Sequence, residues 1–566
     1  MASSHLTDDP LLLLLQFSRR FPTRLVRQLS VAVLRLTPRR SAALPSLIAC
    51  LVTGDHAELQ RRLQLAADAN VVGERALRLA DVALAAHLPA EADNFLARVE
   101  GTPGLARVRA RRFWYDGAVS DAVAVLPDNA PAGRGQRARL AAELTVLSGA
   151  TPMLEPRSYN AVPGRVLHLL TNSLPHTSSG YAQRSHSILM AQQAAGWEVL
   201  AVTRLGYPVQ VGKILARSID VVDGIRYRRL LPHRLAATLD ARLQQQAEQL
   251  LDLVLEFKPS VLHTTTHYVN AVTVRAVAQA VGIPWVYEVR GQLADTWAST
   301  RGKAARESER YRLFQEREAE VMQDADLVVT LGTAMKANIV AAGIPAAKVL
   351  IAPNAVGGGY LGEPLDTVSA RRELGLNESG QYIGTVSSLV AYEGLEYLIE
   401  AFILLAPRFP DLKLLIVGDG LSRSALEGLA LESGFGERII FSGRVDREQA
   451  VRYHQALDVF VVPRQDLEVT RSVTPLKPVE AMACARPVVA SRLPALAEIV
   501  EDGVTGCLAK AGDPGALAEA IEELLSNPPL AQEMGAAGRT RVLRERTWAA
   551  NVVALAAELE KLGVFI

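Results

Sequence analysis

Aromatic residues make up only 5% of this 566-residue chain, and its formal charge is +1. A chain so nearly neutral and so poor in stacking side chains lacks the basic patches and aromatic platforms of a dedicated nucleic-acid binder, so no nucleic-acid partner is expected. Cysteine is scarce as well: Cys50, Cys484 and Cys507 are the whole complement. Spaced so widely, they form neither a disulfide framework nor a metal-ligand set, which points to a reducing compartment and no metal. No run reaches the roughly 18–20 consecutive apolar residues of a membrane span. The five leucines from Leu11 follow Asp8 and Asp9, which does not read as a secretory signal. Length is not lacking: 566 residues, 49% of them hydrophobic, predict about three domains.

Acidic residues are absent between Asp9 and Asp55, where Arg19, Arg20, Arg24, Arg27, Arg35, Arg39 and Arg40 interrupt apolar positions. Residues 11–40 therefore fit either an anionic membrane face or a solvated helix docked on its own domain. From 56 to about 150 the chain is rich in Ala, Leu and Arg. Helices are predicted near 56–70, 74–87, 90–99, 104–112, 116–125 and 132–148, parted by breaks such as Asn70, Pro89 and Gly101–Gly104. Paired helices of this size resemble tetratricopeptide-type hairpins of irregular period, and no catalytic constellation falls among them. Residues 1–155 are read as a helical N-terminal extension, suited to a protein partner or self-association.

Beyond Pro163 the periodicity becomes α/β. Strands are expected at 165–171, 198–203, 260–264, 284–289, 326–331 and 349–352, then at 382–386, 412–418, 438–442, 458–463, 486–490 and 505–508. Two such series, joined near Asn354–Glu363, predict two Rossmann-like lobes facing across a cleft, over 160–352 and 353–545, with a last helix over 546–566. Ligands belong at the carboxyl ends of the strands.

The residues expected at that rim carry the chemistry. In TPLKPVEAMACARPVVAS, from Thr474 to Ser491, Lys477 and Glu480 stand at a helix start just before an apolar strand. A lysine there can neutralise a departing diphosphate, and a carboxylate can accept hydrogen bonds from two ribose hydroxyls. A plain first-turn carboxylate and a solvated lysine are the competing interpretation. In the first lobe, SGYAQRSH brings Gly180, Tyr181, Arg184 and His186 to a loop-to-helix turn. VLHTTTHY brings His263 and His267 to a strand exit, and YEVRG brings Arg290 to another. Arg290 shares strand parity with Glu288, so an internal ion pair competes with ligand contact. In the second lobe Ser388, Glu393, Arg444 and Arg464 follow strands. Arg444, Arg464 and Lys477 together would make a positive pocket.

In their order, SGYAQRSH, YEVRG, LLIVGDG, FSGRV, TPLKPVEAMACARPVVAS and EIVEDGVTG resemble the retaining GT-B glycosyltransferases of the large nucleotide-sugar-dependent family four, especially bacterial members acting in surface-glycan assembly. The resemblance covers about residues 163–560. It implies an acceptor lobe followed by a donor lobe, and transfer from a nucleotide-diphosphate sugar, UDP-sugar favoured, to a saccharide or lipid-linked saccharide hydroxyl, without an obligatory metal. The scattered cysteines and the basic N-terminal segment are compatible with a cytoplasmic protein working at the inner face of the plasma membrane. On the family's pattern Gly180 contacts the donor phosphates, with Tyr181, Arg184 and His186 on the acceptor side. His263 or His267 meets the transferred sugar, and Arg464 and Lys477 hold the diphosphate. Arg290, Ser388, Glu393, Arg444, Thr474 and Pro475 complete the donor site, and Glu480 binds the ribose.

Three departures stand out. Ser472 occupies the first position of the family's E-x7-E motif, Ser388 and Glu393 replace the usual basic pair, and Thr265 stands where a sugar-contacting histidine often sits. They keep two rivals open, a sugar epimerase or phosphorylase on the same fold and a catalytically degenerate assembly scaffold.

Overall fold

The computed structural model describes residues 23–38, 41–127, 133–213 and 215–565. An all-helical region comes first: Thr23–Leu36, Leu44–Thr53, His56–Asp68, Gly73–Ala85, Pro89–Leu96, Leu105–Asp116, Val119–Ala124 and Arg134–Leu147. Leu47, Leu59, Leu63, Leu77 and Phe95 form its core. Local chemistry sets the boundaries. Asp55 caps His56–Asp68 by accepting from the Glu58 amide. Gly117, at φ 84°, closes Leu105–Asp116, which runs four residues past the predicted end at 112 because the left-handed turn, not Arg112, stops it. Of the basic segment expected over 11–40, residues 11–22, 39 and 40 lie outside the described residues. The helix Thr23–Leu36 is present, with Leu29 and Leu36 exposed.

Two sheets follow. The first comprises β1 (Arg165–Leu170), β2 (Glu198–Thr203), β3 (Ile219–Val222), β4 (Ile225–Arg229), β5 (Val261–Thr265), β6 (Trp285–Val289), β7 (Leu327–Thr330) and β8 (Val349–Ile351), in the order β3-β4-β2-β1-β5-β6-β7-β8. All its pairs are parallel except β3 with β4. Alternation along the strands splits the core: Leu167, Leu169, Leu262 and Tyr287 pack on one face, while Val166, Leu170, Val261 and Val286 pack on the other. The last helix, Trp548–Lys561, returns to that second face through Val552, Leu555 and Leu559.

The β3–β4 hairpin had no place in the sequence reading. Its short strands alternate polar and apolar residues at a sheet edge, so no continuous apolar run marks them. The signal was the Asp223-Gly224 pair, both at positive φ, as a tight hairpin turn requires.

The second sheet contains β9 (Tyr382–Val386), β10 (Lys413–Val417), β11 (Ile439–Gly443), β12 (Val459–Val462), β13 (Val488–Ser491) and β14 (Gly506–Ala509), all parallel, in the order β11-β10-β9-β12-β13-β14. Residues 352–381 join the lobes. At the joint, Asn354 donates to the Thr474 carbonyl at 2.8 Å, which ties the linker to the loop that precedes Lys477.

Candidate functional site

The site is built outward from a buried carboxylate. Glu393 lies in the loop after β9, and the next residue, Gly394, has φ 66°; a Cβ there would lie 2.0 Å from the Pro463 carbonyl oxygen. Only glycine lets this loop press against the end of β12. Glu393 is thereby seated against Arg464, which donates from Nη2 at 3.0 Å and Nε at 3.2 Å, and Lys477, which donates from Nζ at 2.6 Å. Burial by itself would raise this carboxyl, but Arg464 and then Lys477 hold it down at about 2. Burial lowers the Lys477 ammonium in turn, against the pull of Glu393. Two cations and one anion leave the cluster net positive.

Helix Lys477–Ala483 begins at this cluster, with Pro478 in its first turn. Lys477 keeps a fifth of its side chain exposed, whereas Arg464 keeps 7%. Half-buried Glu480 lies on the same turn and, among the described residues, its carboxylate accepts no hydrogen bond. Desolvation pushes it up to about 7, opposed by Arg447 and then Lys477. Ser388 and Arg444 are exposed on the loops after β9 and β11.

The first lobe faces this corner with the start of helix Gly180–Ala194. Ser179 caps it through the Ala182 amide, and the space beside Gly180 is open, so unpaired amides at this end can meet an anion. Exposed Tyr181 donates to the Arg290 carbonyl at 3.4 Å. Among the contacts that close the lobes together, Arg447 Nη2 donates to Ser187 Oγ at 3.0 Å, Ser472 Oγ donates to Gln292 Oε1 at 2.8 Å, and Glu498 accepts from the Thr333 and Ala334 amides at 2.7 Å. Arg447, an exposed helix-start arginine in sequence, is the cleft residue that sequence reasoning missed, because its neighbours Ser187 and Glu480 are remote along the chain.

Several expected ligand contacts are interior instead. Arg184 and Arg290 both pair with Glu288, Nε of the first at 2.7 Å and Nη2 of the second at 2.5 Å. Arg184 also donates to the carbonyls of Ala352 and Pro353 and to Asn354 Oδ1. It is an internal clamp on the linker, not an acceptor-side group. Arg290 Nη1 donates to Tyr181 O and Ser185 Oγ, so the two ends of its fork are held inside the first lobe. His186 is buried between Tyr227 Oη at 2.7 Å and Asp223 at 2.9 Å, on the hairpin side of its helix. His263 is buried, stacked on His168 at 4.5 Å and 3.4 Å from Glu288. One physical reason covers all four: a buried carboxylate or hairpin aspartate collects the positive and donor groups around it.

His267 caps helix Tyr268–Val281 and packs on Tyr268 and Phe314. Burial, then Arg310 and Arg204, lower it to about 4, so it is neutral. Thr474 and Pro475 are buried, Thr474 donating to Leu331 O at 3.4 Å. Glu393 anchors the two cations and does not face the cleft. The structure therefore brings together Gly180, Tyr181, Arg464, Lys477 and Glu480, and turns Arg184, His186, His263, Arg290, Glu393, Thr474 and Pro475 inward. An ammonium anchored by Glu393 beside a helix start, together with a desolvated carboxylate, can hold a phosphorylated ligand bearing hydroxyls. Among the described residues, no helix is long and apolar enough to cross a membrane.

The family model for glycosyl transferases group 1 matches residues 366–541, and that for the glycosyl transferase 4-like domain matches residues 179–355. The chain is 32% identical over 228 residues to a GDP-mannose-dependent alpha-(1-6)-phosphatidylinositol monomannoside mannosyltransferase of Mycolicibacterium smegmatis, covering 40% of this chain and 59% of the relative. It is 29% identical over 208 residues to the lipopolysaccharide core biosynthesis mannosyltransferase LpsB of Rhizobium meliloti, covering 35% and 57%. The match thus spans under two thirds of these curated relatives. In fold, the chain is similar to sucrose-phosphate synthase from Thermosynechococcus elongatus, with TM-score 0.59 and 23% identity over 70% of this chain and 99% of that one. It is also similar to Anabaena HepE in complex with UDP and glucose, with TM-score 0.56 and 16% identity over 70% and 99%.

Proposed function

We propose that this chain, whose residues 179–355 and 366–541 match the glycosyl transferase 4-like and group 1 models, is a glycosyltransferase that moves a sugar from a nucleotide-diphosphate sugar to a hydroxyl of a saccharide or lipid-linked saccharide, with retained anomeric configuration. The observation that carries this reading is the Lys477–Glu480 turn, held beside Arg464 by buried Glu393 and facing the Gly180 helix start. Lys477 would neutralise the diphosphate as the glycosidic bond breaks, aided by the amides at Gly180. Glu480 would accept hydrogen bonds from the ribose. Glu480, the carboxylate at this corner, is given to the ribose, which suits a front-face reaction in which a donor phosphate oxygen takes the acceptor proton.

The nucleotide is a UDP or GDP moiety. The relatives include GDP-mannose-dependent enzymes, and the HepE structures hold UDP. Relatives named for phosphatidylinositol mannoside and lipopolysaccharide core favour an acceptor of the cell envelope. An inner-face location fits such an acceptor, with helix Thr23–Leu36 offering Leu29 and Leu36 to the membrane surface. The paired helices of the extension we read as tetratricopeptide-like stacking.

The test is to incubate the protein with separate UDP-, GDP-, ADP- and TDP-sugars, with and without magnesium, and to follow binding and nucleotide release by mass spectrometry. Selective binding or slow hydrolysis of one donor supports the transferase. Binding with interconversion of the nucleotide sugar, and no acceptor, would replace it by an epimerase.

A further inference from the structure

The helical extension has no part in the proposed transfer, yet it grips one segment beside the cleft. Residues 293–310 lead from the end of β6 into helix Glu309–Asp324. The Arg310 guanidinium lies 4.6 Å from the Trp114 ring of the extension and 5.4 Å from the Trp297 ring. Arg301 lies 5.1 Å from Tyr115 and 4.9 Å from Trp297. Two arginines are thus interleaved with three aromatic rings, in a chain with few aromatics, and each cation over a ring face is held by the ring quadrupole. Gly117 makes the approach possible: its φ is 84°, and a Cβ there would come within 2.8 Å of both Trp297 and the Ser308 Cβ. Two hydrogen bonds fix the register, Arg310 N donating to Gly117 O at 2.9 Å and Ser120 N to the Glu309 carboxylate at 2.8 Å.

The other side of the same segment touches the second lobe. Gln292, immediately before it, accepts from Ser472, and Arg306 lies 4.0 Å from Glu468. Both partners are on the short helix Glu468–Ser472, which runs straight into Thr474–Lys477. Asp295, accepting from Tyr311 Oη at 2.7 Å, holds the segment's own fold.

We infer that the helical extension is the brace of the acceptor-side wall: through Trp114, Tyr115 and Gly117 it positions residues 293–308 against the second lobe, so that the order of this wall and occupation of the donor corner are linked. The identity of the ligand rests on the proposed function; the brace does not. Linkage is reciprocal, so a partner that engages the extension will shift donor affinity. Trp114 and Arg310 are positioning residues, since neither reaches the donor corner.

Hydrogen exchange of the full chain tests this, with wild type, Trp114→Leu and Glu309→Ala each measured alone and with saturating UDP or GDP. In wild type, nucleotide slows exchange at 474–480 and at 293–308. In both variants the slowing at 474–480 persists while that at 293–308 falls about threefold or more. Equal nucleotide protection of 293–308 in all three proteins overturns the brace, as does wild-type protection of 474–480 alone. If neither nucleotide protects 474–480, the donor reading fails, and exchange without ligand decides the brace: 293–308 opens in both variants if it holds and stays unchanged if it does not.

Discussion

Lys477 and Glu393, 84 residues apart, are joined by a 2.6 Å hydrogen bond to Oε1, and Arg464 donates to both oxygens of the same carboxylate. The acid that in sequence seemed to replace a phosphate-binding base is what keeps a base in place. Glu393 neutralises one of the two cations, and Lys477, the more exposed of them, remains available at the cleft.

Lys477→Ala should lower turnover at saturating donor by about 10²–10³-fold, the usual effect of removing one preorganised donor to a developing negative charge. Folding should be nearly unaffected, because Arg464 still pairs Glu393. Initial rates alongside thermal melts check this, and unchanged turnover discards the role given to Lys477.

Glu393→Gln leaves Arg464 and Lys477 buried without their counter-ion and should destabilise the protein by about 3–5 kcal/mol, read from urea unfolding at pH 7. The pH dependence has a definite sign. Because the folded carboxyl titrates at about 2, below its unfolded value, its stabilisation is complete above the unfolded range and is lost as pH falls toward 2. The difference between wild type and the variant should therefore shrink steadily between pH 5 and pH 2.

With Glu480 at about 7, the ionised form that accepts from ribose hydroxyls is depleted as pH falls. Nucleoside diphosphate affinity should drop about tenfold between pH 8 and pH 6 in wild type. Glu480→Gln should bind more weakly at pH 8 and give a flatter profile, the nucleotide's own titration being common to both. Parallel calorimetric profiles for the two proteins would remove Glu480 from the binding site.

Arg184→Ala separates an internal clamp from an acceptor contact. It strips Glu288 of one partner and leaves the Ala352 and Pro353 carbonyls without their donor, so the melting temperature should fall while nucleotide affinity stays within about twofold. Unchanged melting with altered acceptor use would restore the ligand-facing role first read from SGYAQRSH.

Periodicity alone located both α/β series, since apolar strands buried on two faces leave continuous runs at β10 and β12 and runs broken by one polar residue at β1 and β6. Lys477 and Glu480 were legible for a similar reason: they sit one turn apart beside a strand, and local spacing is enough to put them together. The β3–β4 hairpin was less legible, because at a sheet edge its alternation resembles loop sequence.

What the chain order determined by itself is therefore the two lobes, the helical extension and the Lys477–Glu480 turn, all products of short-range pattern. Tertiary structure decided the partners. Arg184, Arg290 and His263 look like ligand groups until Glu288 gathers them. Glu393 looks like a donor contact until Arg464 and Lys477 close on it, and Arg447 and Trp114 gain meaning only across the cleft and the extension. A buried charge must find its counter-charge wherever the fold brings one, and sequence separation says nothing about where that is.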